Sequence, residues 1–121
     1  MKSICHITTA HPRYDVRIFH KECKSLAQYY NVHLIVADNN KNEILENVTI
    51  HSIGKPNNRR ERMLQFTKLA FKKAVEIDAD IYHFHDPELL PVGKKLAKKI
   101  TPILSLFWIA EKLSQRAHLW S

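Results

Sequence analysis

The chain has 121 residues, enough for one compact domain with its own core but not for two. Hydrophobic residues make up 45% of it and charged residues 26%, with only two glycines and five prolines, which excludes a disordered or fibrous chain. A formal net charge of +7 favours anionic partners without choosing among phosphates, nucleic acid and acidic lipids.

Cysteine usage and the N-terminus both point to an intracellular protein. Cys5 and Cys23 lie in apolar patterns and lack the CxxC spacing of a zinc or redox site, so we expect both to be reduced, buried and structural. The N-terminus turns polar after a few residues, and no apolar run approaches ~20 residues. These patterns predict a cytoplasmic location, without a signal peptide or a membrane-spanning helix.

The first half of the chain alternates between strand and helix patterns. Residues 3–9 are a short β-rich run that ends in a proline-containing turn. A helical period follows, with Asp15 as its N-cap. Its apolar face is made by residues three or four apart: Val16, Phe19, Cys23, Leu26 and Tyr30. Residues 32–37 and 48–53 predict the second and third strands.

The second half continues this alternation. A long helix is predicted from about residue 59 to 78. Its buried stripe is expected to comprise Met63, Phe66, Ala70, Ala74 and Ile77. Residues 80–85 predict a fourth strand, after which Asp86 is expected to cap a helix whose first position is Pro87. Residues 101–108 predict a fifth strand, and the residues after it a last helix.

Alternating strands and helices predict one α/β domain over residues 1–121, a Rossmann-like three-layer sandwich with a mainly parallel sheet of about five strands. In such sheets, ligands bind beyond the carboxyl ends of the strands. The loops at residues 9–15 and 84–88 are therefore the places where a functional site is expected.

The stretch IYHFHDP (81–87) carries two histidines at strand spacing. His83 and His85 are expected to share one strand face, with Tyr82 and Phe84 on the other. As the last strand residue, His85 is expected to project into the crevice beside a helix start that attracts anions. His83, one pleat deeper, fits a core histidine better. The pair alone makes a poor metal site, because no third and fourth ligand is evident, so we predict neither a metal nor a cofactor.

The loop TTAHPRYDVRIF (8–19) lies where α/β proteins usually approach phosphate, yet the usual glycines are absent. His11, Arg13 and Arg17 supply cationic side chains instead, and an arginine fork suits phosphate or carboxylate. The alternative is that both arginines merely cover the helix start, where positive charge opposes the helix dipole. Both interpretations stay open at the level of sequence.

Other chemistries are not indicated. The sequence has no Gly-x-Ser-x-Gly elbow and no Walker loop. Nucleic-acid binding would rest on net charge alone, so we predict no nucleic-acid partner.

Taken together, these segments resemble the N-terminal half of bacterial glycosyltransferases of family 4. The similarity is carried, in order, by HITTAHPRYDVRIFHKECKSLAQ, VHLIVAD, IHSIGKP and DADIYHFHDPELLPVGKKL, and it covers residues 1 to about 99. The resemblance implies the GT-B architecture, in which two Rossmann-like domains face each other across a cleft and transfer a sugar from a nucleotide donor with retention of configuration. This half would shape the acceptor side of the cleft.

The resemblance also implies roles for individual residues. The second histidine of the family's HxH(D/E)P motif lies near the transferred sugar, which makes His85 the predicted catalytic residue. The predicted substrate-binding residues are His11, Arg13, Asp15, Arg17, His83, Asp86 and Glu88. The implied partners are a nucleotide sugar and a glycan or lipid-linked acceptor of polysaccharide biosynthesis, with peripheral contact to a membrane.

After residue 99 the pattern departs from the family, and residues 100–121 form a divergent tail. This departure predicts a truncated transferase with little or no turnover unless a donor domain is supplied. One alternative is a non-catalytic α/β module that binds an anionic small molecule or a partner protein at the same crevice. Another is self-association through the cleft face or the tail, in which the residues buried against a second copy are Phe107, Trp108, Leu119 and Trp120.

Overall fold

A computed structural model describes residues 2–86 and 89–99, with side chains up to residue 96. Five strands lie within this part of the chain: β1 Ser3–Ile7, β2 Asn31–Val36, β3 Glu43–Leu45, β4 Val48–Ser52 and β5 Ile81–Phe84. They form one sheet in the order β3-β4-β2-β1-β5. All neighbours pair in parallel except β3, which is antiparallel to β4. The predicted α/β class and the mainly parallel five-stranded sheet are confirmed.

One strand differs from the prediction. The fifth strand of the sheet is β3, a three-residue edge strand whose Ile44 is 74% exposed. It follows a polar turn and turns back onto β4 through Glu46 and Asn47, which both have left-handed backbone conformations. The strand predicted at residues 101–108 and the helix after it lie outside the described residues.

Three helices lie within the described residues. The first, α1, comprises Val16–Cys23, wound as a π-helix, and Lys24–Leu26. The second, α2, comprises Arg59–Glu61, the π-helical turn Arg62–Phe66, and Thr67–Ile77. The third, α3, spans Leu90–Lys99. None of these three is both long enough and apolar enough to cross a membrane.

Helices cover both faces of the sheet because the side chains of β2 alternate between two apolar clusters. One face packs against α1, and this cluster contains Ile18, Phe19, Cys23, Val32, Leu34, Val36, Val48 and Ile50. The opposite face packs against α2 and α3, and its members include Cys5, Ile7, Ile35, Ala70, Ala74, Tyr82, Phe84, Leu89, Val92 and Leu96. Both cysteines are free and buried, as predicted. Burial raises the pKa of both thiols, which keeps them in the unreactive protonated form.

Two residues predicted to face the core are exposed instead. Val16 is 66% exposed and Met63 is 46% exposed. Each lies in a π-helical segment, where the wider turn departs from the 3.6-residue period on which the prediction relied. In α1, Ile18 enters the core in place of Val16, beside Phe19, which was predicted to do so.

A pair of histidines lies on the α2 face of the sheet. Nδ1 of His33 on β2 is 3.0 Å from Nε2 of His51 on β4, and the rings are stacked with centroids 5.2 Å apart. Burial, followed by repulsion from His33, lowers the pKa of His51 from 6.5 to about 4. Burial also lowers the pKa of His33. Both rings are therefore neutral at pH 7 in the folded protein.

We expect the free energy of unfolding to fall as the pH is lowered from about 6.5 towards 4. In this window the unfolded chain takes up protons that the folded pair does not accept, whereas above pH 6.5 neither state is protonated at these sites. Denaturant unfolding across this range measures the slope. The His51→Gln variant should show a shallower slope, and an equal slope in both proteins would contradict the assignment.

Candidate functional site

The carboxyl ends of β1 and β5 lie side by side, with Ile7 paired to Phe84. From β1 the chain builds the sheet towards β2 and β4, then returns to place β5 on the other side of β1. Ligands of open parallel sheets bind at such reversals of strand order. Both predicted loops, residues 9–15 and 84–88, meet here, although Pro87 and Glu88 lie outside the described residues.

The Asp86 carboxylate ties these two loops together. It is buried and accepts hydrogen bonds from the N–H groups of Thr9 and Ala10, at 2.6 and 3.1 Å, and from the hydroxyls of Thr8 and Thr9, at 3.1 and 3.2 Å. The carboxylate points to the loop that offers it four donors. Because Pro87 and Glu88 lie outside the described residues, the N-cap role of Asp86 stays a prediction.

His11 is the most accessible of the predicted site residues whose side-chain exposure is known. Its side chain is 37% exposed, and its Nε2 lies 3.4 Å from Oδ1 of Asp86 while its Nδ1 lies 3.7 Å from Oδ2 of Asp15. Its backbone N–H donates to the Thr8 hydroxyl at 3.0 Å. The ring lies between two carboxylates, and its partial exposure leaves it within reach of a ligand.

Arg13 does not have the role that its position in the loop predicted. Its side chain is 4% exposed, and its Nε and Nη2 donate to the two carboxylate oxygens of Asp38 at 2.9 and 2.8 Å. Its Nη1 donates to the Lys41 carbonyl at 2.6 Å and lies 3.3 Å from Glu43. Partial burial alone would raise the pKa of Asp38, but the hydrogen bond from Arg13 holds it below its usual value. The guanidinium is thus neutralised inside the protein and does not offer a free fork to phosphate.

Asp15 occupies the start of α1, as predicted. Its Oδ1 accepts the backbone N–H groups of Arg17 and Ile18 at 3.0 and 2.9 Å. These are the groups that a phosphate would use at a helix N-terminus. The helix start is therefore satisfied from within the chain, which differs from the glycine-rich phosphate turns of dinucleotide-binding folds. The Arg17 side chain is half-buried, and its contact with a ligand stays a prediction.

His85 lies beneath the loop instead of projecting into open space. Its side chain is 2% exposed, and its Nε2 lies 2.9 Å from Nδ1 of His6 and 3.7 Å from Oε2 of Glu22. The expected projection is wrong because parallel pairing with β1 turns this ring towards His6 on the face that α1 covers. A ring in this position forms the floor of the site, and its burial does not support direct contact with a sugar.

His83 and His85 share a strand face, as predicted, and two further residues complete a cluster with them. The centroid of His83 is 4.8 Å from that of His6 and 4.5 Å from that of His85, and one ligand atom each from His6, Glu22, His83 and His85 lies within 4.8 Å of the other three. Sequence reasoning missed His6 and Glu22. The alternation of β1 places His6 on one of its two faces, but only the pairing with β5 shows that this face carries the other histidines.

We expect Asp86→Asn to lower the free energy of unfolding by about 1–3 kcal/mol, because an amide cannot accept hydrogen bonds from four donors and leaves some of them buried and unsatisfied. Denaturant unfolding measures this loss. Amide hydrogen exchange should become faster at Thr9 and Ala10 in particular.

Asp80→Asn is the matched control. Its exposed carboxylate also accepts a backbone N–H, from Ser3 at 2.8 Å, but it does so at the opposite end of β1. We expect a smaller loss of stability in this variant and unchanged exchange at Thr9. Equal losses in the two variants would contradict the role given to Asp86.

Comparison with known proteins does not identify a function for this chain. No family model matches the chain, and no curated protein and no solved structure matches it either. The resemblance to family 4 therefore rests on the quoted segments, and any function must be argued from the strand-end loop and the cluster beneath it.

Proposed function

We propose that this chain is the acceptor-side domain of a retaining GT-B glycosyltransferase that acts in bacterial polysaccharide biosynthesis, and that it has the Rossmann-like three-layer fold. Strand order supports the fold proposal. If β3 is set aside, the parallel strands lie in the order third, second, first, fourth, as do the first four strands of a doubly wound dinucleotide-binding sheet. Helices on both faces of the sheet agree with it.

The observation that carries the functional proposal is the chemistry of the accessible strand-end loop. His11 stands between the carboxylates of Asp15 and Asp86, while Arg13 is neutralised by Asp38. Such an edge offers hydrogen-bond acceptors and one imidazole, which suit the hydroxyl groups of an uncharged sugar. The Arg13 guanidinium and the N–H groups at the start of α1, which would suit a diphosphate, are already bound to carboxylates of the chain. The resemblance to family 4 likewise implies that this domain forms the acceptor side of the cleft.

In this proposal the residues divide into contact and positioning roles. His11 contacts the acceptor sugar through its partly exposed ring, and Asp86 holds the loop in place through Thr8, Thr9 and Ala10. His85 is a positioning residue beneath them. The nucleotide sugar binds to a second, facing domain, so ligand binding rather than turnover is the appropriate test of this chain.

The positive charge of the chain supports a further part of the proposal. Arg59 and Arg60 are exposed at the start of α2, which follows the carboxyl end of β4. Basic residues in such a position favour peripheral contact with anionic lipid, where a lipid-linked acceptor is found.

The alternative function is a non-catalytic module that binds an anionic small molecule. It requires cationic side chains or free N–H groups in the loop. Arg13 and the N–H groups at the start of α1 are engaged by carboxylates of the chain itself, so an anionic ligand would depend on Arg17. Self-association through the tail concerns residues outside the described part of the chain.

Nuclear magnetic resonance titration tests the proposal. We expect neutral mono- and disaccharides to shift the His11 ring signals and the amide signals of Thr9 and Ala10, with affinity on the order of millimolar for so small a contact. Inorganic pyrophosphate should leave these signals unchanged.

Variants identify the contact. His11→Ala should abolish the response to sugars, whereas His20→Ala, which removes an exposed histidine from α1, should retain it. A response to pyrophosphate without a response to any sugar would contradict the proposal and favour the anionic-ligand module.

A further inference from the structure

We propose that His6, Glu22, His83 and His85 form a binding site for a divalent transition metal, with zinc as the best-fitting ion. The ligands come from three elements: His6 from β1, Glu22 from α1, and His83 and His85 from the end of β5. This inference does not depend on the proposed sugar-acceptor function, because none of the four residues needs to contact a sugar.

The distances within the cluster fit tetrahedral coordination. Ligand atoms at about 2.0–2.1 Å from a tetrahedral zinc ion lie roughly 3.3 Å from one another. Nδ1 of His6 lies 2.9 Å from Nε2 of His85, and Nε2 of His85 lies 3.7 Å from Oε2 of Glu22. The widest separation in the set is 4.8 Å. The widest separation exceeds the tetrahedral spacing by about 1.5 Å, and Glu22, a long side chain that is 32% exposed, has the freedom to adjust.

The ligand types select the class of ion. Three imidazoles and one carboxylate match the preferences of zinc and its transition-metal neighbours, whereas calcium and magnesium prefer sites made of oxygen ligands. Neutral imidazoles and one negative carboxylate leave a divalent ion with a single net positive charge. Glu22 thus supplies the charge compensation that a cation requires in this setting, where His6 is fully buried and His85 is 2% exposed.

Four protein ligands fill a tetrahedral shell, which is typical of structural zinc rather than catalytic zinc. The ion would join positions 6, 22 and 83–85, which are far apart in sequence. Closing such long loops removes conformational freedom from the unfolded chain and favours the folded state. Because His85 is followed directly by Asp86, the ion would also hold the strand end that organises the loop around His11.

Metal titration of the chelator-treated full chain is the direct experiment. We expect zinc to bind with one-to-one stoichiometry and to raise the melting temperature, and cobalt(II) to give the strong visible absorption of tetrahedral coordination. Magnesium should do neither. In the zinc-loaded protein, the ring signals of His6, His83 and His85 should shift together.

Ligand variants then locate the site. Glu22→Gln and His83→Gln should each weaken zinc binding about tenfold or more. Glu22 is partly exposed, so the first variant removes a ligand without changing a buried volume. The control is His33→Gln, which alters the histidine pair on the other face and should leave stoichiometry and affinity unchanged.

Three outcomes would overturn the proposal. These are the lack of any zinc binding by the unaltered chain, unchanged affinity in both Glu22→Gln and His83→Gln, and loss of the site in His33→Gln. Circular dichroism of each metal-free variant confirms that it is folded before the titration is interpreted.

Discussion

The parallel pairing of β1 with β5 is the constraint on which the site depends. It joins segments about 77 residues apart, with His6 opposite His83 and the His85 N–H donating to the Ile7 carbonyl at 3.1 Å. On one face of this pair lie Cys5, Ile7, Tyr82 and Phe84 in the apolar core. On the other face lie the three histidines with Glu22. Directly beyond the pair, Asp86 reaches across to the loop that leaves β1.

The side chains around this pairing show how the charges of the chain are used. A formal charge of +7 suggests that the surface can bind anions. However, Arg13, which lies near the strand ends, forms ion pairs with Asp38 and Glu43. The helix start beside it is closed by Asp15. His11 stays partly accessible between two acids, so the local chemistry around it differs from the average of the chain. Net charge describes long-range attraction, whereas the ligand is chosen by the groups that stay unneutralised.

Much of the fold could be predicted from the sequence because local patterns determine it. A continuous apolar run located β2, and an alternating pattern located β4. Strand alternation placed His83 and His85 on one face, and the chemistry of Asp15 marked the start of α1. The prediction of buried residues was wrong at Val16 and Met63. It assumed a period of 3.6 residues per turn, and the π-helical winding of these two segments departs from that period.

The site was less predictable because its contacts are long-range. Arg13 meets a carboxylate 25 residues away, and Asp86 accepts hydrogen bonds from a loop about 77 residues away. Neither partner is marked by any local pattern. The contact with Asp38 changes the role expected of Arg13, and the contacts with residues 8–10 give Asp86 a role that the sequence did not indicate. The same holds for His6 and Glu22, which join His83 and His85 only through strand order and helix placement.

The most direct test of this account is a measurement of proton–proton proximity by nuclear Overhauser effects in the uniformly labelled chain. The account predicts cross-peaks between the His6 ring and the rings of His83 and His85, whose centroids lie 4.8 and 5.2 Å from it. It also predicts cross-peaks between the Thr9 amide and the β-protons of Asp86. A His6 ring that contacts neither histidine would contradict the β1–β5 pairing and, with it, both proposed sites.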